Sequence, residues 1–155
     1  VEDSNEVIRN WERLKKKEEG KKQRQSILDG IPSELPSLQY ARKIQSVVSR
    51  VGFDWPDATG VVEKIKEEAD EVLQAMQSHE PDRIADEIGD LLFSIVNFAR
   101  FNGVDPESAL RRTNHKFRKR FHEIEKEAKR RGVHLGDMSL EEMDTIWEEA
   151  KKKSY

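Results

Sequence analysis

The sequence predicts an all-α protein, most simply an antiparallel bundle of helices. Apolar residues recur every three or four positions over most of the chain, and no stretch of useful length alternates apolar with polar residues as a half-buried strand does. Capping residues and prolines also stand where these helical periods begin and end. The 155 residues are enough for one domain with a core of its own.

The first thirty residues differ from the rest because they are mostly charged. Trp11 and Leu14 are among their few apolar side chains, so residues 1–30 are interpreted as a linker or a docked helix. Residues 31–155 are predicted to form the helical domain. The chain begins with Val1 and not with methionine, so we also expect a processed chain or a piece of a longer one.

Three of the five predicted helices precede residue 100. The first follows Pro36 and continues through Val48 and Val51, where a loop at residues 52–56 ends it. The second begins near Thr59 and ends at residues 78–81. The third runs from Ile84 to residue 99, and its second half, LLFSIVNFARF, is apolar on nearly every side. A helix of that kind is expected to be central or to be buried against a partner chain.

The last two helices have clear starting signals. Asp105 is a good N-cap and is followed by proline at the first helical position, while Gly132 marks the end of this fourth helix. Ser139 and Glu142 form a capping box that opens a short final helix ending near Ala150.

Composition excludes several classes of function. A formal net charge of −3, with 38% charged residues, indicates neither a nucleic-acid groove nor an acidic tail, so no nucleic-acid partner is expected. The chain has no cysteine, which excludes disulfides and thiolate metal sites and suits the cytoplasm. No apolar run approaches the ~18 residues of a spanning helix, and no secretory signal is present, so no membrane partner is expected.

Pairs of acids occupy matching positions on the second and third helices. On a helical wheel Glu68 and Glu71 border the apolar face of the second helix, and Glu87 and Asp90 border that of the third. Helices joined by a short connection are usually antiparallel neighbours, so the four carboxylates are expected to converge and to need a cation. Acids at this spacing are also common on solvated helix faces, but the repeated pair favours a metal site.

Oxygen ligands without thiolate favour a hard ion, Mg²⁺ or alternatively Mn²⁺. A ferritin-like di-iron site is the rival, but it requires histidine three residues after a glutamate, and neither Glu68 nor Glu87 has one. Protein-bound Mg²⁺ commonly shares its coordination shell with substrate phosphates, which themselves need cations. Candidates for that role are Lys64, Arg83, Lys116 and Arg120.

Three positions on the fourth helix have plainer interpretations. Lys116 and Arg120 belong to a basic stretch of the fourth helix that is equally typical of a solvated face. Asn114 stands within the apolar stripe of the same helix, where it would be either a binding residue or a hydrogen-bonded core amide.

The stretches KIKEEADEV, DEIGDLLF and NHKFRKRF together resemble the MazG-type nucleoside triphosphate pyrophosphohydrolases of the all-α NTP pyrophosphatase superfamily. The signature of that family is Glu-Glu-x-x-Glu, a spacer and Glu-x-x-Asp, represented here by Glu67, Glu68, Glu71, Glu87 and Asp90. IPSELPSL, KIQ, VGFDW, ARFNGVDPESALRRTNHKFRKRF and a terminal tryptophan extend the resemblance over about residues 31–150.

The resemblance implies that residues 31–155 are a catalytic domain. It would hydrolyse nucleoside triphosphates between the α and β phosphates, giving a monophosphate and pyrophosphate with Mg²⁺, in house-cleaning or nucleotide-pool control. The implied metal ligands, also catalytic, are Glu68, Glu71, Glu87 and Asp90. Glu67 would either support these ligands without binding the metal or help to orient the attacking water. The implied substrate-binding residues are Lys64, Glu67, Arg83, Asp86, Asn114, Lys116, Phe117, Arg120 and Trp147. For Trp147, packing in the core is an equally good interpretation.

The resemblance also implies partners. Family members are homodimers, which suits the all-round apolar segment of the third helix. NWERLKKKEEGKKQRQSILDGIP resembles the connector between the two modules of long MazG proteins, so this chain would be the carboxy-terminal module, separated from an amino-terminal one. The alternatives are a narrower relative acting on dUTP, dCTP or phosphoribosyl-ATP, and a non-catalytic nucleotide-binding dimerisation module.

Overall fold

The computed structural model describes residues 4–22 and 24–153, and these residues form α-helices and no β-strand. The prediction of an all-helical class is therefore confirmed. The helices are α1 (Ser4–Lys22), α2 (Ser37–Ser49), α3 (Ala58–Ser78), α4 (Pro81–Phe101), α5 (Pro106–Arg131) and α6 (Leu140–Lys151), with a 3-10 turn at Leu135–Asp137. Helices α2 to α6 are the five that the sequence predicted. Among the described residues, no helix combines the length and the apolar character that a membrane span requires.

Side-chain caps determine where three of the helices begin. The Asp57 carboxylate accepts hydrogen bonds from the backbone N–H groups of the first turn of α3, which the sequence analysis did not predict. Asp105 and Ser139 cap α5 and α6 in the same way, and both caps were predicted. The C-cap Gly132 has a φ of 69°, a left-handed conformation that glycine adopts without steric cost.

The chain divides into two compact units, Val1–Gly103 and Val104–Tyr155. In the first unit α4 packs against both α2 and α3, most extensively against α3. Only residues 79 and 80 separate α3 from α4, so the two helices pack as an antiparallel pair. This pairing places the acid-bearing faces of α3 and α4 side by side.

Helix α1 accounts for most of the charged segment that precedes Pro32. Its described side chains, at residues 6–18, are all exposed, including the apolar Trp11 and Leu14. The division of the chain into a segment at 1–30 and a catalytic domain at 31–155 remains a prediction.

Helix α4 is less buried than its composition suggested. Leu92, Phe93, Ile95 and Phe98 are 37–48% exposed, whereas Val96 is buried. The prediction that the LLFSIVNFARF segment is central is therefore wrong for this chain, because the neighbouring helices cover only part of its circumference. The alternative, burial against a partner chain, remains a prediction.

The second unit has a small core of its own, formed where α5 meets α6. Ile124, Ala128 and Met138 are buried there, and Trp147 packs against them. Residues 108–118 of α5 are all exposed, including Asn114. The core-amide interpretation of Asn114 is therefore wrong, since no core forms around that part of the helix.

Candidate functional site

Three carboxylates converge in the first unit. Glu68 and Glu71 stand one turn apart on α3, and Glu87 projects from α4. One carboxylate oxygen from each residue lies within 4.8 Å of the corresponding oxygens of the other two. Glu68 is buried and the other two are half-buried. Three of the four acids that the sequence selected as metal ligands are thus brought together by the α3–α4 pairing.

Two oxygens of this cluster lack partners. Glu68 Oε2 and Glu87 Oε2 are buried and accept no hydrogen bond from the described part of the chain. Buried polar atoms in folded proteins almost always have a partner, and a bound cation would supply one to these two oxygens. A set made only of carboxylate oxygens fits a hard divalent cation such as Mg²⁺.

Crowding of the three carboxylates changes the acidity of Glu71. Its pKa is raised to about 7, first because protonated Glu71 can donate a hydrogen bond to Glu68 and second because it can donate one to Glu87. The negative charges of the same two neighbours oppose its ionisation. A bound cation would reverse this effect by favouring the ionised form.

Lys64 is the cation that contacts the cluster from α3. Its Nζ lies 3.0 Å from Glu68 Oε1 and 3.3 Å from Glu67 Oε1, and these contacts, chiefly that with Glu68, raise the pKa of Lys64. The Glu67 side chain is 57% exposed and lies outside the group of three. Lys64 therefore offsets part of the negative charge while remaining protonated.

The remaining first-unit predictions concern α4. Asp90 stands one turn beyond Glu87, is exposed and lies outside the group of three converging carboxylates. Its role as a fourth ligand remains a prediction. Arg83 and Asp86 are exposed on the first half of the same helix, and their roles also remain predictions.

The other predicted binding residues belong to the second unit. Asn114, Lys116 and Phe117 are exposed on α5, whereas Arg120 is half-buried. The Trp147 ring lies 4.9 Å from that of Phe117, and the Arg120 guanidinium lies 5.7 Å from the centre of the Trp147 ring. The structure thus brings Phe117, Arg120 and Trp147 together, and it confirms that Trp147 packs on the core of its unit. Contact of these residues with a nucleotide remains a prediction.

A cavity of about 530 Å³ in the first unit was not predicted from the sequence. Its walls come from α2, the loop at residues 52–55, α3 and α4, and its polar lining includes Gln45, Asn97 and Arg100. Gln45 was detectable in principle, because it adjoins Ile44 and Val48 on the apolar face of α2 and an amide there needs a partner. The cavity itself depends on packing between helices and left no pattern in the sequence.

An ion pair holds the loop of this cavity against α4. Arg100 donates to both carboxylate oxygens of Asp54, from Nη1 at 3.1 Å and from Nη2 at 2.5 Å. The hydrogen bond from Arg100 lowers the pKa of Asp54. Arg100 also donates to Asn97 Oδ1 from Nε and Nη2, at 3.1 and 2.8 Å, so one guanidinium orders both the loop and an amide of the cavity wall.

Comparison with known proteins finds a family whose model matches the part of the chain that carries this site. Residues 57–124, which include all three converging glutamates, match the model of the MazG nucleotide pyrophosphohydrolase domain. Residues 57–124 of the chain are therefore similar to a MazG domain. The resemblance that the sequence motifs indicated is thereby confirmed.

Longer proteins carry similar sequences. The chain is 41% identical to the nucleoside triphosphate pyrophosphohydrolase of Escherichia coli (strain K12), over 99% of this chain and 59% of that protein. It is 46% identical to the nucleoside triphosphate pyrophosphohydrolase/pyrophosphatase MazG of Thermotoga maritima, over 91% of this chain and 54% of that protein. It is also 47% identical to the uncharacterized protein YabN of Bacillus subtilis, over 98% of this chain and 31% of that protein.

The chain therefore spans between one half and three fifths of the length of the first two relatives. Its assignment as the carboxy-terminal module of a two-module protein remains a prediction.

Proposed function

We propose that this chain hydrolyses nucleoside triphosphates between the α and β phosphates, releasing a nucleoside monophosphate and pyrophosphate. The observation that carries the proposal is the convergence of Glu68, Glu71 and Glu87, two of which have buried oxygens without a partner in the described chain. The names of the Escherichia coli and Thermotoga maritima relatives support the same reaction.

Glu68, Glu71 and Glu87 would hold Mg²⁺, with Asp90 as a fourth ligand. When bound, Mg²⁺, or Mn²⁺ in its place, supplies positive charge that offsets the charge of the phosphate oxygens. Lys64, which already contacts Glu68 at 3.0 Å, is placed at the edge of this group to bind a phosphate oxygen.

The Glu67 carboxylate is assigned to orient the attacking water and to accept its proton. It is exposed and hydrogen-bonded to Lys64, so it is accessible to solvent and held in place. The water oxygen forms a bond to phosphorus while the bridging P–O bond breaks, and pyrophosphate leaves with the electron pair of that bond. The protein contributes position and charge and forms no covalent bond.

Further substrate contacts are assigned by charge and shape. Arg83 and Asp86 stand on the first half of the helix that carries Glu87. In the second unit, Phe117, Arg120 and Trp147 form a joined aromatic and cationic surface suited to a ribose or a base, and Asn114 and Lys116 lie on the exposed part of the same helix. We propose that the substrates are drawn from the cytoplasmic nucleotide pool, where these triphosphates are used.

A pyrophosphate-release assay tests this proposal. We expect Mg²⁺-dependent release from several ribo- and deoxyribonucleoside triphosphates and none when EDTA is present. Release from a single nucleotide would instead indicate a narrower relative that acts on dUTP, dCTP or phosphoribosyl-ATP. Nucleotide binding without any metal-dependent release would show a non-catalytic module and would contradict the proposal.

We also propose that the domain forms a homodimer through α4. Ile88, Leu92 and Ile95 follow one another at four and three residues, which places them on a single stripe, and each is 44–48% exposed. On a helical wheel this stripe lies about 180° from Asn97, on the side of α4 away from the cavity. Exposed apolar stripes of this kind mark protein interfaces, and a two-fold axis would bury the stripe of one copy against that of another.

Leu92→Glu is expected to convert the dimer to a monomer, because it introduces a charge into the buried stripe. Molar mass from light scattering is the measurement. Leu140→Glu is the control, since Leu140 is 81% exposed at the start of α6 and outside the stripe. A monomeric wild-type protein, or a dimer that survives Leu92→Glu, would rule out this interface.

A further inference from the structure

We propose that Lys64 sets the cation selectivity of the acid cluster of Glu68, Glu71 and Glu87. It holds Glu68 Oε1, so that only Oε2 is left to bind a cation, and this favours Mg²⁺ over Ca²⁺. Lys64 is then a positioning residue that acts through Glu68. The inference rests on the proposed function only in that the three carboxylates bind a divalent cation; it requires neither a nucleotide nor hydrolysis.

The two carboxylate oxygens of Glu68 have different surroundings. Oε1 lies 3.0 Å from Lys64 Nζ, whereas Oε2 is buried and accepts no hydrogen bond from the described part of the chain. The Glu68 side chain is only 6% exposed, so bulk solvent is largely excluded from it. A cation bound at Oε2 would give that oxygen the partner that buried acceptors normally have. The lysine thus takes one oxygen of the carboxylate and leaves the other for the metal.

Lys64 is itself held in place. Its Nζ also lies 3.3 Å from Glu67 Oε1. The contact with Glu68, followed by that with Glu67, raises the pKa of Lys64, so the ammonium group stays charged at neutral pH. An ammonium group has three N–H donors, so contacts with two glutamates leave one donor for a phosphate oxygen. Lys64 can therefore position Glu68 and bind substrate at the same time.

Mg²⁺ and Ca²⁺ differ in what they require from a carboxylate. Ca²⁺ takes about six to eight oxygens and often binds both oxygens of one carboxylate. Mg²⁺ is smaller and requires near-octahedral geometry, which the narrow bite of a chelating carboxylate distorts. To bind both oxygens of Glu68, Ca²⁺ would have to displace the ammonium group of Lys64 or lie against it, and like charges repel. The lysine therefore disfavours Ca²⁺ more than Mg²⁺.

This contact differs from an ordinary surface ion pair on the same helix. Lys66 Nζ also lies 3.0 Å from a glutamate oxygen, Glu63 Oε1, but those two side chains are 67% and 65% exposed. Exposed pairs contribute little, because water and salt screen them. Glu68 is buried, and a partner that orients a buried metal ligand commonly changes metal affinity by about tenfold or more. Lys66 thus provides a matched control for Lys64.

Calorimetric titration with Mg²⁺ and with Ca²⁺, without nucleotide, tests the inference. In Lys64→Met the ratio of the Ca²⁺ to the Mg²⁺ dissociation constant is expected to fall about tenfold, because Glu68 can then offer both oxygens to Ca²⁺. Loss of a positive charge beside the site also strengthens the binding of both divalent ions. That general effect is common to the two ions and cancels in the ratio.

Two further variants separate positioning from charge and from folding. Lys66→Met removes an exposed lysine from the same helix and should leave the ratio within about twofold of wild type, since Lys66 pairs with Glu63 and not with the cluster. Lys64→Arg keeps a cationic N–H donor for Glu68 Oε1 and is expected to retain most of the wild-type selectivity.

Infrared spectroscopy of the Ca²⁺-loaded proteins gives an independent measurement. The separation between the antisymmetric and symmetric carboxylate stretching bands is smaller when both oxygens bind one cation than when a single oxygen does. The difference spectrum between Lys64→Met and wild type should therefore show one additional two-oxygen carboxylate. This signal should be absent when Glu68→Gln is combined with Lys64→Met, because the glutamine has no second carboxylate oxygen.

The inference is overturned if Lys64→Met leaves the ratio unchanged, or if Lys66→Met lowers it to the same extent. A wild-type protein that still releases pyrophosphate with Mg²⁺ would in that case leave the proposed function standing. Conversely, a selectivity that depends on Lys64 in a protein that releases no pyrophosphate would support this inference and overturn the proposed hydrolysis. A wild-type protein that binds neither cation would overturn both.

Discussion

Glu71→Gln is expected to reduce Mg²⁺-dependent pyrophosphate release by about 10³-fold, equivalent to roughly 4 kcal/mol of transition-state stabilisation. The Glu71 carboxylate lies close to those of both Glu68 and Glu87, and glutamine keeps its size while removing its charge. Loss of one of three converging carboxylates weakens the hold on the cation that the phosphates need. Initial rates across a range of Mg²⁺ concentrations are the measurement.

Asp70→Asn is the matched control for this experiment. Asp70 precedes Glu71 on α3, carries the same charge, is exposed and lies outside the group of three converging carboxylates. Its replacement should leave activity within about twofold of wild type, since exposed charges contribute little. Near-normal activity of Glu71→Gln, or an equal loss in Asp70→Asn, would remove the cluster from the proposed site.

The affinity for Mg²⁺ is expected to rise by up to about tenfold per pH unit as the pH increases from about 5 to about 7, and then to level off. The pKa of Glu71 is about 7 in the metal-free protein, so a proton must leave before this carboxylate can bind a cation. Calorimetric titration at several pH values, in buffers of different ionisation enthalpy, measures both the affinity and the protons released. In Glu71→Gln the affinity should be weak and nearly independent of pH over this range.

The same pKa has an opposite effect on the stability of the metal-free protein. The folded state raises the pKa of Glu71 from its usual 4.5 to about 7, so folded protein holds this proton more tightly than unfolded protein does. The resulting stabilisation is complete below the unfolded pKa and is lost as the pH rises through the folded pKa. In thermal unfolding with EDTA, the melting temperature of the wild-type protein should therefore decrease between about pH 5 and about pH 8. The decrease should be smaller in Glu71→Gln. A melting temperature that responds equally to pH in both proteins would contradict the assigned contacts.

Local signals in the sequence were sufficient to predict most of the secondary structure. Apolar spacing located helices α2 to α6, and the caps at Asp105 and Ser139 gave the starts of α5 and α6. These signals depend on residues only a few positions apart, so they can be recognised without knowledge of the fold. The side-chain cap at Asp57 belongs to the same class of signal and was overlooked among the turn residues that precede α3.

Prediction of burial was less successful because burial depends on what each helix packs against. The composition of the second half of α4 predicted either a central helix or one buried against a partner chain. Leu92 and Ile95 are nearly half exposed within this chain, which contradicts the first alternative and leaves the second a prediction. In the same way Asn114 lies within an apolar spacing on α5 but is exposed, since the core of the second unit forms further along that helix.

By itself the sequence determined the helical class, the MazG signature and the choice of Glu68, Glu71 and Glu87 as partners. It could do so because the phase of a helix decides which side chains share a face, and because a short connection makes neighbouring helices antiparallel. Only the tertiary structure decided that Glu71 has a pKa near 7, that a buried acceptor of Gln45 has no partner among residues 4–22 and 24–153, and that a cavity adjoins Lys64. Those properties arise from distances of a few ångströms between side chains on different helices, which periodicity along one chain does not contain.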